Sequence, residues 1–161
     1  MTGKSVIDDG IRWDRLDRER FDQMVEALLS RVHDKEGHEV IFPEGKGGDG
    51  GRDAIATVDG RTIVYQFKFY IDGLSTSGSS RKTQVKRSFK RALSHSPDEW
   101  VLVVPCKLTE PFRRLLRDLD KGNNVRVSCW DRPRLDSMFA KHLDLIALMK
   151  QDDLLTERAR V

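Results

Sequence analysis

Asp59-Gly60 restricts the fold of this chain more than any other pair of residues. A two-residue hairpin turn needs positive φ at its central positions, which Asp and Gly tolerate, and such a turn fixes the register of the strands it joins. The flanking runs, Arg52 to Val58 and Arg61 to Tyr70, are therefore expected to pair as an antiparallel hairpin. Tyr65, Phe67 and Phe69 alternate in the second run with Gln66, Lys68 and Tyr70. Side chains two apart on a strand share a face, so Gln66 and Lys68 point the same way, and Asp53 opens the partner strand beside them.

The remaining pattern reads as one α/β domain. Phe21, Met24, Val25, Leu28, Leu29 and Val32 recur at helical spacing behind Asp17 or a neighbour as N-cap, and Gly37 is expected to close that helix. His38 to Pro43 reads as a short strand, and the Gly-rich stretch 45–51 reads as a loop. After the hairpin comes a Gly/Ser-rich loop from Ile71 to Ser80, then a basic helix from about Arg81 to His95 with Val85, Phe89, Ala92 and Leu93 as its apolar stripe. Trp100 to Pro105 is nearly uninterrupted in apolar residues, as a central strand buried on both faces requires. A helix from Pro111 to Leu119, a strand from Val125 to Trp130 and a helix from about Pro133 to His142, capped by Asp131, complete the core. Residues 143 to 149 extend or restart that last helix. The expected architecture is an α-β-β-β-α-β-α core with a central mixed sheet flanked by helices. The divisions are an N-terminal arm or lead-in strand over 1–16, anchored only by Trp13, a domain over 17–150, and a tail or linker over 151–161.

Composition narrows the class. The chain has 161 residues, 38% apolar and 34% charged, with a net charge of +3. That describes a globular chain with a heavily charged surface, and one long enough to bury a core without staples. No apolar run approaches the roughly 20 residues that span a bilayer, and the first residues lack the apolar stretch of a signal peptide, so no membrane partner and a cytoplasmic location are the expectations. Cys106 and Cys129 fall in apolar strands and read as buried, inert thiols. His33 and His38 show no metal-ligand spacing with a cysteine and read as structural. The charge is unevenly spread: Arg81 to Arg91 concentrates cations without an Asp or Glu between them.

Phe21-Asp22 on the first helix, Gly-Asp-Gly-Gly-Arg-Asp53 opening a strand, Gln66-Phe67-Lys68 closing the next, and Val-Arg-Val-Ser-Cys-Trp-Asp131 before a last helix together resemble the Mrr-type branch of the PD-(D/E)XK restriction endonuclease-like superfamily. The likeness runs from about residue 17 to 142. It implies metal-dependent hydrolysis of phosphodiester bonds in DNA, in the setting of restriction or anti-phage defence. Asp53 takes the place of the metal-binding aspartate, Gln66 of the glutamate or glutamine that this branch uses, and Lys68 of the lysine. Asp22 stands where a helix-borne glutamate is usual, one methylene shorter, so either Asp22 or Glu26 one turn later is the candidate fourth ligand. Asp49, close in sequence, fits less well because it lies in the loop.

The chemistry suits these residue types. Mg²⁺, or Mn²⁺ in its place, takes hard oxygen ligands and keeps several waters, so Asp53, the Gln66 amide oxygen and the Phe67 carbonyl suffice, with Asp22, Glu26 or Glu44 strengthening a site short of one carboxylate. Lys68 would orient or deprotonate a metal-bound water and stabilise charge on the phosphorane. Lys82, Lys86, Arg87, Lys90 and Arg91 would contact a phosphate backbone, which positions duplex DNA without reading its bases. No separate base-reading domain is legible, so the chain is expected to act as an effector module with a fused or associated sensor or ATPase domain. Duplex cleavage by a single-site core further implies a homodimer or higher assembly. Two other readings stay open: a catalytically inactive nucleic-acid-binding module on the same fold, and an RNA or Holliday-junction nuclease.

Overall fold

The computed structural model describes residues 10–43, 53–74 and 78–150. Its chain order is α1 (Arg18–Val32), β1 (His38–Ile41), β2 (Ala54–Val58), β3 (Arg61–Phe67), α2 (Gly78–Ala92), β4 (Glu99–Val103), α3 (Glu110–Gly122), β5 (Arg126–Trp130) and α4 (Arg132–Phe139).

Local signals explain most of these boundaries. Asp17 caps α1, its carboxylate accepting the Arg20 N–H at 2.8 Å. Asp59 and Gly60 adopt φ of +50° and +79°, the turn their sequence calls for. Thr109 precedes α3, which carries Pro in its first turn, and Asp131 accepts the Arg134 N–H at the start of α4.

The strands form one sheet in the order β1-β2-β3-β4-β5. β1, β2 and β3 are antiparallel neighbours, whereas β3, β4 and β5 run parallel. Parallel neighbours need a crossover, and α2 and α3 supply the two. Both pack on one face of the sheet, over Val64, Trp100 and Leu102. α1 and α4 cover the other face, over Ala56, Tyr65, Phe67 and Val101. The protein is therefore an α/β fold with a five-stranded mixed sheet between two helical layers. β4 is buried from Trp100 to Val103, as its unbroken apolar run predicts.

Several boundaries differ from the sequence reading. Gly37 does not end α1, whose C-cap is His33; its φ of +84° serves the turn into β1. The hairpin strands are shorter than expected, since Asp53 precedes β2 and Lys68 to Tyr70 follow β3. Gly78 to Ser80 belong to α2 rather than to the loop, and the helix gives way to a 3-10 turn at Leu93–His95. Residues 10–16 are not a detached arm. Trp13, in a 3-10 turn, is 3% exposed, donates its indole N–H to Asp136 Oδ1 at 2.8 Å, and meets the rings of Phe21 and Phe139 edge-on. The last helix stops at Phe139, and residues 143–150 form a separate helical segment whose Ile146 is buried. The stretches expected as the loop over 45–51 and the tail over 151–161, and with them Glu44 and Asp49, lie outside the described residues.

Candidate functional site

Strand parity puts Asp53, Gln66 and Lys68 together. Ala54 faces Tyr65 across the hairpin, which brings Asp53, one residue earlier, beside Gln66. Tyr65 and Phe67 pack against the α1 layer and Val64 against the α2 layer, so Gln66 and Lys68 take the parity of the α2 face. Lys68 stands one residue past β3, where its N–H still donates to Val103 O at 3.0 Å. The group thus sits at the carboxyl ends of the parallel strands, where open α/β sheets commonly bind their ligands.

Asp53 is held by three hydrogen bonds. Its own N–H donates to Tyr65 O at 2.8 Å. Its carboxylate accepts the Gln66 Nε2 amide at 2.7 Å and the Phe67 N–H at 2.8 Å, both on Oδ2. Gln66 is only 4% exposed and stands between Asp53 and Leu102 of β4. Its amide oxygen, Oε1, is buried and has no hydrogen-bond partner among the described residues. An unpaired buried amide oxygen costs roughly 1–3 kcal/mol.

Electrostatics points the same way. Burial pushes the Asp53 carboxyl above the usual carboxylate range, against the opposing pull of the Phe67 N–H, the Lys68 ammonium and the Arg18 guanidinium. Burial likewise lowers the Lys68 ammonium, with Asp53 opposing and the charges of Arg18 and Arg91 adding to the depression. A carboxylate and an amine both pressed towards neutrality within one pocket of charge are the arrangement that acid–base sites use.

α1 approaches the group from the other layer. α1 leads straight into β1, which runs parallel to β3, so the first turn of α1 lies at the same carboxyl edge; the Phe21 and Phe69 rings meet there at 5.5 Å. Asp22 forms an i,i+4 ion pair with Arg18, Nε to Oδ2 at 4.0 Å. Asp22 and Glu26 are both half-buried on α1, and the Arg18 charge on the same helix acts on both Asp53 and Lys68. The sequence reading missed Arg18, although one signal was legible: a cation at the first position of a helix opposes the macrodipole, and local rules are most often broken at functional positions.

The basic helix behaves largely as its stripe implies. Val85, Ser88, Phe89 and Ala92 are buried, and Lys86, Arg87, Lys90 and Arg91 are exposed, with Lys82 half-buried. Arg81 has a different task. It stacks over the Tyr70 ring at 4.5 Å, pairs with Asp72 at 2.6 Å and donates to Gly73 O, which ties the chain beyond Lys68 to α2. Tyr70 adds a hydrogen bond to Gln84 Oε1 at 2.5 Å.

An oxygen-only cluster of this kind suits a hard cation: one carboxylate, one orphaned amide oxygen and a neighbouring strand-end carbonyl. Among the described residues no three His, Cys, Asp or Glu side chains converge on a common point. Cys106 and Cys129 are free, and burial raises both thiols, that of Cys106 to about 11. Such thiols are inert nucleophiles. No helix among the described residues is long and apolar enough to cross a membrane. No family model, no curated protein and no solved structure matches the chain.

Proposed function

We propose that this protein is a metal-dependent DNA endonuclease of the PD-(D/E)XK type, close to the Mrr branch, acting as the effector module of a restriction or defence system. The observation that carries the reading is the buried, unpartnered Gln66 Oε1 beside an Asp53 carboxylate and a burial-depressed Lys68. Element order supports it, since one helix, three strands, helix, strand, helix, strand and helix is the order the resemblance implies. Asp53 Oδ1, Gln66 Oε1 and the Phe67 carbonyl are the proposed ligands of Mg²⁺ or Mn²⁺, with Asp22 before Glu26 as the fourth.

When bound, the ion supplies charge neutralisation at the phosphate and acidifies a water. The chain's own residues do the rest. Gln66 Nε2 and the Phe67 N–H orient the Asp53 carboxylate. Lys68, with its ammonium destabilised, takes up the proton of the attacking water or steers that water at the phosphorus. Arg18 and Arg91 add positive charge where the phosphorane develops negative charge. The exposed cations of α2 hold the phosphate backbone, and duplex cleavage calls for a second copy.

The alternative on the same fold is a nucleic-acid-binding module without catalysis, favoured by one observation: Gln66 Nε2 now points at Asp53 Oδ2 where a ligand oxygen would serve a cation. Supercoiled plasmid, linear duplex, single-stranded DNA and RNA, each with Mg²⁺, Mn²⁺ or chelator, separate the readings. Nuclease function predicts cutting of duplex DNA with metal and none with chelator; binding with no cutting under any condition selects the alternative. Cutting confined to RNA or to branched DNA would replace the substrate.

A further inference from the structure

At the other end of α1, the helix cap and the start of β1 bring two imidazoles face to face. His33 Nδ1 and His38 Nδ1 are 3.4 Å apart, with the rings tilted at 43° and their centroids 5.6 Å apart. His33 is 7% exposed, and its far nitrogen, Nε2, is 2.8 Å from the Tyr65 hydroxyl. His38 is half-buried and opens to the surface.

The separation is informative. N–H donors in proteins make hydrogen bonds of about 2.7–3.2 Å, so 3.4 Å is long for one proton shared between these rings. Two imidazole nitrogens at about 2.0–2.1 Å from one tetrahedral ion stand about 3.3–3.4 Å apart. The rest of the surroundings fits a ligand as well. A metal-bound imidazole characteristically donates its other N–H to an oxygen acceptor, which fixes tautomer and ring orientation; Tyr65 Oη occupies that position on His33. Among the described residues no third His, Cys, Asp or Glu joins the pair, so solvent would complete the coordination. The Lys35 charge opposes a cation here, as its depression of His33 shows.

We propose that His33 Nδ1 and His38 Nδ1 form a two-histidine site for a borderline divalent ion of the Zn²⁺, Co²⁺ or Ni²⁺ class, with solvent in its open positions. The donor set separates it from the oxygen cluster at Asp53: imidazole nitrogen suits Zn²⁺ and its neighbours, carboxylate and carbonyl suit Mg²⁺. The turn Asp34–Gly37 acts as the linker that holds both rings, and β3 supports it through Tyr65.

Calorimetric titration of the full chain with Zn²⁺ alone tests it, with Co²⁺ as a coloured probe of coordination. Wild type should bind one Zn²⁺ per chain. His38→Asn, at a half-buried position, should lose that binding, and Tyr65→Phe should weaken it by the roughly 10–100-fold typical of an outer-shell partner. Asp53→Asn should leave it unchanged, which keeps this result independent of the nuclease reading. Equal Zn²⁺ affinity in wild type and His38→Asn, no Zn²⁺ bound by folded wild type, or loss of Zn²⁺ binding in Asp53→Asn would each overturn the site.

Discussion

Replacing Asp53 by Ala and by Asn should have opposite effects on stability and the same effect on catalysis. In the native structure two donors, Gln66 Nε2 and the Phe67 N–H, end on Asp53 Oδ2 at 2.7 and 2.8 Å. Alanine removes their common acceptor. The Gln66 amide can turn, but the Phe67 N–H is fixed in the strand, so one to two buried donors are left unpaired at about 1–3 kcal/mol each. The sum is about 1–6 kcal/mol, and at about 2–4 °C per kcal/mol for a domain of this size the melting temperature should fall by about 2–24 °C. Asparagine keeps an acceptor oxygen in the same place and removes the charge. The Asp53 carboxyl is raised by burial, so its surroundings favour the uncharged form. For a raised carboxyl, the native state holds its proton more tightly than the unfolded state does, and stability falls as pH rises through the native pKa. At pH 7 ionising Asp53 in the native state therefore costs stability, and Asn should relieve that cost. Differential scanning calorimetry at pH 7 without metal should show Asp53→Asn melting at or above wild type and Asp53→Ala well below it. Both should lack cleavage. An Asn variant that melts as low as the Ala variant would refute the claim that the carboxylate is held against its own charge.

Lys68→Met should also stabilise the fold at neutral pH while abolishing cleavage: the native ammonium is lowered, so wild-type stability rises with pH as it passes from the native pKa towards the unfolded value, and Met should flatten that slope in calorimetric scans above neutrality. By the same depression, wild-type cleavage should rise with pH through the Lys68 titration, a trend that a flat pH–rate profile would contradict. Lys86→Ala combined with Arg87→Ala and Lys90→Ala should reduce the salt slope of duplex binding by about 0.9 per lost phosphate contact, read by fluorescence anisotropy across a salt series, with thermal stability unchanged. Trp13→Ala should cost about 3–5 kcal/mol in denaturant unfolding, because it empties an aromatic site between α1 and α4 and strips Asp136 of its donor.

What could be read from the sequence is what local rules govern. The Asp59-Gly60 turn, the Asp17 and Asp131 caps and the buried run at Trp100 each rest on neighbours within a few positions, and the structure has each of them in place. The pairing of Asp53 with Gln66 was legible for the same reason, since a two-residue turn sets the register of everything along the hairpin. Contacts across long stretches of chain were not. Trp13 reaches Asp136 over 123 positions, and nothing in the first residues announces that partner. His33 finds Tyr65 over 32 positions in the same way. Gly78 to Ser80 have the composition of a loop, yet tertiary contacts override weak propensity: Arg81 and Gln84 bind Tyr70, Asp72 and Gly73 and so favour an early start for α2. The fourth ligand stayed open because periodicity places Asp22 and Glu26 on α1 without fixing how α1 meets the sheet edge. The structure puts Arg18 at that edge, paired with Asp22.

The central claim is that Asp53, Gln66 and Lys68 form one metal-dependent phosphodiesterase site. It is tested most directly by conversion of supercoiled plasmid with Mg²⁺, comparing wild type and Asp53→Asn purified side by side and matched for folded fraction. Wild type should nick and linearise the plasmid, chelator should stop it, and Asp53→Asn should leave the plasmid intact at every metal concentration while still binding duplex DNA. Undiminished cutting by Asp53→Asn would show that the activity belongs elsewhere in the protein.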